Sequence, residues 1–175
     1  MKNMKKLISL AIIMIAFTAA TFAQVSATAT ATATIVGPIG IANTANMNFG
    51  NVAVSAVAGT VVMTPAAVRT PSGGCTLPAI TGTVAAGAFN VTGAASYTYA
   101  ITLPAAATTI TSGGNTMTVD TWTSTPSGTG TLSAGGSQAL TVGATLNVGA
   151  SQAAGTYVSG TPFTVTVNYN LVFSP

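Results

Sequence analysis

The sequence predicts an all-β chain folded as an antiparallel β-sandwich behind a cleaved signal peptide. Three observations carry that prediction. After residue 23 no apolar repeat of helical spacing occurs. Thr, Val, Ala and Gly dominate, in short alternating runs that suit strands with one buried face. Those runs are separated at short intervals by Gly-Gly, Ser-Gly and Pro, which favours antiparallel neighbours over the long crossovers of a parallel sheet.

Taken in order, residues 1–23 read as a secretory signal. Lys2, Lys5 and Lys6 form its basic start, and Leu7 to Ala20 its apolar stretch, short for a membrane-spanning helix. Thr21-Phe22-Ala23 is a small-x-small cleavage site before Gln24, and no Cys follows that would mark a lipoprotein. Residues 24–175 then form one sandwich domain, of a length that supports a real core. Nine or ten strands are expected: Val25–Val36, Met47–Ser55, Thr60–Arg69, Ala88–Thr92, Tyr97–Leu103, Ala107–Thr111, Asn115–Thr123, Gln138–Val148, Gly155–Val158 and Phe163–Leu171, the last reaching toward Phe173. Ser112-Gly113-Gly114-Asn115 suits a tight hairpin with positive φ at glycine, and Ala134-Gly135-Gly136-Ser137 a second such turn. Pro104, Pro126 and Pro162 fall outside the expected strands, where a missing N–H costs little.

Charge excludes whole classes of function. The signal holds three of the four cations, so the mature chain keeps Arg69, Asp120 and no Lys, Glu or His. One arginine cannot displace the counterions of a nucleic acid, nor anchor the chain to an anionic membrane; contact with a membrane is expected only during export. A Ser nucleophile would lack a histidine base, glycoside hydrolysis its second side-chain carboxylate, and a phosphate loop its lysine. No set of ligands for zinc or calcium is apparent. The chain is expected to be non-enzymatic, with no cofactor and no metal. Cys75 is alone, so no internal disulfide is available. A buried small side chain, a link between molecules and a reactive thiol are its three readings. Arg69 and Asp120 either pair or are separately solvated. Tyr97 and Tyr99 share a strand face, and with Trp122 and Tyr157 they form a candidate glycan-stacking surface.

The two ends of the mature chain contrast. In the N-terminal run, Ala27, Ala29, Ala31, Ala33 and Ile35 fall on one face and Thr28, Thr30, Thr32 and Thr34 on the other. Ten residues at about 3.3 Å each span roughly 33 Å, long for a strand. The run carries no charge, proline or bulge signal, the usual devices that stop an edge from pairing with another chain. Its alanine methyls bury little, so most of its affinity for a sheet would come from the backbone ladder. It is expected to be an edge strand completing its own sandwich, a donor strand exchanged between molecules, or a disordered leader. At the other end Phe163, Val165, Val167 and Tyr169 share a face, continued by Leu171 and Phe173, and form the core closing strand.

The run from Val25 to Asn170 resembles the domain-of-unknown-function family 4402 of small exported bacterial proteins. Met47-Asn48-Phe49-Gly50-Asn51-Val52, Phe89-Asn90-Val91-Thr92-Gly93, Tyr97 to Pro104, Leu132 to Gly136, Gly155-Thr156-Tyr157 and Thr164 to Tyr169 carry the resemblance. More distantly the layout is similar to pilin subunits of the archaic chaperone–usher type, including spore-coat-U-like domains. That second resemblance implies an immunoglobulin-like or pilin-like sandwich whose N-terminal strand fills a groove in the next subunit, with Ala27 to Ile35 as donor positions. The donor face here is alanine rather than large aliphatic, a departure from that pattern. The expected role is an exported structural protein of the periplasm, cell surface or extracellular space, with itself or other surface subunits as partners. The alternative is a monomeric adhesion or glycan-binding sandwich.

Overall fold

The computed structural model of the chain describes residues 24–170. The expected signal peptide and the Leu171 and Phe173 end of the closing strand lie outside the described residues. The chain divides into two units at Ile35 and Val36. In the first unit the described residues 24–35 are all exposed and form no strand, with Val25 at 92% and Ile35 at 90% exposure. The strand expected over Val25–Val36 therefore does not form in the single chain. The physical reason is that alternation specifies which face a strand would bury, whereas alanine supplies too little apolar area to make it dock.

The second unit is an antiparallel β-sandwich. Its strands are β1 (Gly40–Ala45), β2 (Asn48–Phe49), β3 (Ala53–Met63), β4 (Arg69–Thr76), β5 (Val84–Ala85), β6 (Gly87–Thr92), β7 (Thr98–Thr102), β8 (Thr108–Ser112), β9 (Asn115–Thr125), β10 (Thr129–Thr131), β11 (Ser137–Val148), β12 (Val158–Ser159) and β13 (Thr166–Tyr169). Among the described residues there is no helix.

The large sheet runs β1-β6-β11-β9-β8-β12, with β3 also on β11 and β4 beyond β3. The small sheet runs β10-β7-β13, and β2 pairs with β5. The spine is β11. Along one edge Thr141 to Asn147 pair with β9; along the other, Ser137 to Val142 pair with β6 and Ala144 to Val148 with β3. Gly143 marks the handover. A Cβ there would run into the carbonyl of Met63 and the Thr64-Pro65 peptide, so only glycine lets the end of β3 cross so closely. Leu140, Val142, Ala144, Leu146 and Val148 alternate inward and are all buried.

Several local features follow directly from sequence. Ser112 pairs with Asn115 across a two-residue hairpin in which Gly113 has φ 58°. The expected Met47–Ser55 strand is broken between β2 and β3, at Gly50 to Val52. There the Asn48 side chain accepts the Gly50 N–H at 2.8 Å and Gly50 takes φ 65°, an Asx turn. The expected Thr60–Arg69 strand is instead the end of β3, a turn closed by Thr64 and Val68, and the start of β4.

Candidate functional site

Two apolar clusters make up the core. The first joins Val91, Tyr99, Leu132, Leu140, Val142, Val165 and Val167, between the β6–β11 half of the large sheet and the small sheet. The second joins Val61, Cys75, Val119, Ala144, Leu146 and Val148 beneath β3, β9 and the far half of β11. No strand of the small sheet contributes to the second cluster or to the side chains packed on it. Its cover comes from Met47, Phe49, Val52 and Leu77, chiefly irregular chain around β2. The small sheet is thus too narrow for the large one.

A groove of about 1170 Å³ lies where that cover is thin. Its floor includes Val119, Leu146 and Val148 of the second cluster; its walls come from residues 46–54 on one side and 152–159 on the other. Phe89, Trp122 and Phe163 also line it, and none of its lining residues is charged. Trp122 lies on Phe163 with ring centroids 4.5 Å apart, and Phe163 meets Phe89 edge-on at 6.2 Å. The Trp122 Nε1–H points to the Ala106 carbonyl at 3.4 Å.

Both walls are positioned by polar contacts. The Arg69 guanidinium donates to the carbonyls of Phe49 and Asn51, so it ties β4 to β2 and the loop that follows it. Opposite, Gln152 Nε2 donates to the Thr116 carbonyl at 3.2 Å and to the Tyr157 hydroxyl at 2.8 Å, and that hydroxyl donates to the Ala153 carbonyl at 2.8 Å. Among the described residues, the backbone of 152–156 has no backbone hydrogen-bond partner. Apart from the Ala153 carbonyl, which the Tyr157 hydroxyl occupies, this stretch of the wall is in no backbone ladder.

The sequence-derived residues fall as follows. Ala27, Ala29, Ala31, Ala33 and Ile35 are exposed in the first unit, outside any strand. Val165 and Val167 are buried at 7% exposure each, in the first cluster. Phe163 packs on that cluster from the groove side, ahead of β13. Tyr169 closes the strand: its hydroxyl accepts the Ala94 N–H at 2.6 Å and donates to the Gly37 carbonyl at 3.2 Å.

The expected aromatic surface does not exist as such. Tyr99 is fully buried and donates to Gln138 Oε1 at 2.8 Å, while Tyr97 is 39% exposed and edge-on to Tyr169. Burial raises the Tyr99 phenol above its ordinary value. Cys75 is buried and its thiol is likewise raised by desolvation, the opposite of an activated nucleophile. Asp120 accepts from Asn147 Nδ2 at 2.9 Å and Thr121 Oγ1 at 3.0 Å, and it is not paired with Arg69. No group of three His, Cys, Asp or Glu occurs among the described residues.

The sequence reading missed the groove and the clamp by Arg69.

A family model described as "Domain of unknown function (DUF4402)" matches residues 39–169. The match covers well over half of the chain, and the chain belongs to this family. No curated protein and no solved structure matches it.

Proposed function

We propose that this member of the family is a non-enzymatic, exported structural subunit that joins copies of itself by strand addition. Residues 27–35 of one copy enter the groove of the next. Two observations carry the reading: a long alternating segment has no ladder of its own, and a groove over the second core cluster lies beside backbone that is in no ladder. The two are chemically matched, because neither the segment nor the groove lining holds a charge. A backbone ladder would supply the affinity, and the apolar floor the reason to exclude water. The periplasm, cell surface or extracellular space is the setting, consistent with residues 1–23 as an export signal.

A denaturing gel of the exported protein tests this. Unheated samples are expected to show a ladder of oligomers that boiling collapses, and deletion of residues 24–35 is expected to abolish it. Thr30→Pro, which removes one ladder donor, is expected to weaken it in the same direction. A wild-type protein that stays monomeric at every concentration tried refutes the proposal. The monomeric glycan-binding reading has less support, since Tyr99 is in the core and Trp122 is partly covered by Phe163.

A further inference from the structure

Resting on the strand-addition reading above, we infer that residues 152–156 are the edge that receives the added strand, so that the partner of this wall is residues 27–35 of a second copy of the chain. The two walls of the groove differ in what their backbones already hold. In the 46–54 wall, Asn48 and Phe49 pair with β5, and Ala53 and Val54 pair with β4. Between those pairs the Arg69 guanidinium occupies the Phe49 and Asn51 carbonyls, and the Asn48 side chain takes the Gly50 N–H. The Asn51 N–H donates to the Thr81 carbonyl at 2.7 Å. That wall has little left to offer a ladder.

The 152–156 wall is built the other way: side chains hold it in place and leave its main chain free. Gln152 Oε1 accepts the Gly149 N–H at 3.3 Å, while its Nε2 reaches the Thr116 carbonyl and the Tyr157 hydroxyl. Among the described residues, the Ala153 carbonyl is the one main-chain group of 152–156 that takes a hydrogen bond from the protein. Ala153, Ala154, Gly155 and Thr156 are exposed, so water satisfies their amides and carbonyls in the single chain and a strand can replace it in an assembly. A wall fixed before its partner arrives loses little freedom on binding. The stretch leads into β12, an end strand of the large sheet that pairs with β8 alone and whose two residues line the groove. The end strand β13 of the small sheet contributes no residue to the groove. Five residues at about 3.3 Å each span roughly 16 Å, so the ladder takes up about half of the leader.

The test follows amide exchange in the full exported chain, at a dilution where it is monomeric and at a concentration where it assembles. Amides of residues 153–156 are expected to exchange at least tenfold more slowly in the assembly, together with those of residues 27–35, while Gly50 and Asn51 change by less than threefold. Proline is the second probe, because it deletes one N–H, and successive N–H groups of a strand point to opposite edges. Of Ala153→Pro and Ala154→Pro, one is expected to raise the half-assembly concentration tenfold or more by size-exclusion chromatography, and the other to change it by less than threefold. Near-ultraviolet circular dichroism shows which variants are folded, and where neither is, the exchange experiment decides. If residues 27–35 become protected in the assembly while 153–156 do not, the receiving edge lies elsewhere and strand addition stands. Equal effects of the two proline variants in folded protein also overturn a ladder at this wall. If wild type does not assemble, or assembles without protecting residues 27–35, the underlying strand-addition reading is what fails.

Discussion

Removing residues 24–35 separates a leader that completes its own sheet from one that waits for another. A strand of that length paired in its own sandwich would make about eight to ten ladder hydrogen bonds, each worth about 0.5–1.5 kcal/mol net. The loss would be about 4–15 kcal/mol, comparable to the whole stability of a domain this size. Here every described residue of the leader is exposed and none lies in a strand. The expected change is therefore within about 0.5 kcal/mol, the range of ordinary surface changes. For a chain of this length that corresponds to a shift in melting temperature of about 2 °C or less. Urea and thermal unfolding, followed by circular dichroism at a dilution where the protein is monomeric, measure it directly. A loss of more than about 2 kcal/mol would refute the reasoning, because the leader would then be holding its own fold together. The same truncated chain is expected to run as a monomer at concentrations where the full chain assembles, so one variant reads both stability and association.

Four further outcomes follow from the core and the groove wall. Tyr99→Phe removes the donor to Gln138 Oε1, which keeps the Thr131 N–H at 2.9 Å, so a loss of about 1 kcal/mol in urea unfolding is expected. Gly130→Ala is expected to cost more, about 3 kcal/mol, because its Cβ would collide with the Tyr99 ring and hydroxyl. Arg69→Met leaves the Phe49 and Asn51 carbonyls without their guanidinium donor; a loss of about 1–2 kcal/mol is expected, with faster amide exchange at Gly50 and Asn51 than in the core of β11. Alkaline pH is expected to destabilise the fold: the buried Tyr99 phenol ionises above its ordinary value of 10.0, so the unfolded chain releases that proton first. This contribution is intact below about pH 10 and drains as pH rises through the raised native value, a trend that Tyr99→Phe should flatten in unfolding midpoints compared at about pH 8 and about pH 11.

Much of the sandwich was legible because strong local signals agreed with the tertiary pairing. The inward run from Leu140 to Val148 is visible as alternation, and the β8–β9 hairpin as Gly113-Gly114 between two such runs. Strand β4 was not legible. Pro71, Gly73 and Gly74 read as loop, yet the segment is held as a strand by pairing with β3, across an irregularity between Val54 and Gly59. Tyr97 and Tyr99 illustrate a different limit. They look equivalent in sequence, but only Tyr99 lies within β7, which carries it into the core. The groove was beyond reach for a physical reason: it arises from a small sheet narrower than its partner, a mismatch between strands far apart in sequence.

The way the folded edges are guarded bears on why the leader is left open. With one cation and one anion among residues 24–175, the sandwich cannot blunt its sheet edges with charge. It uses shape instead. The outer strand β4 carries Pro71, which has no N–H to offer, and Gly73 with φ 63°. The other large-sheet ends are β1, where the Asn43 amide occupies the carbonyls of Ala45 and Ala88, and β12, only two residues long. The small sheet ends in β10 and β13, three and four residues long. Against that background the leader is an exception, since residues 24–35 have neither proline, glycine nor charge, and are the longest alternating run in the chain to stay outside a sheet. One lysine or proline there would suffice to prevent association between molecules. A chain that protects its other edges by geometry while leaving this segment competent to pair has the asymmetry that the proposed strand addition between copies requires.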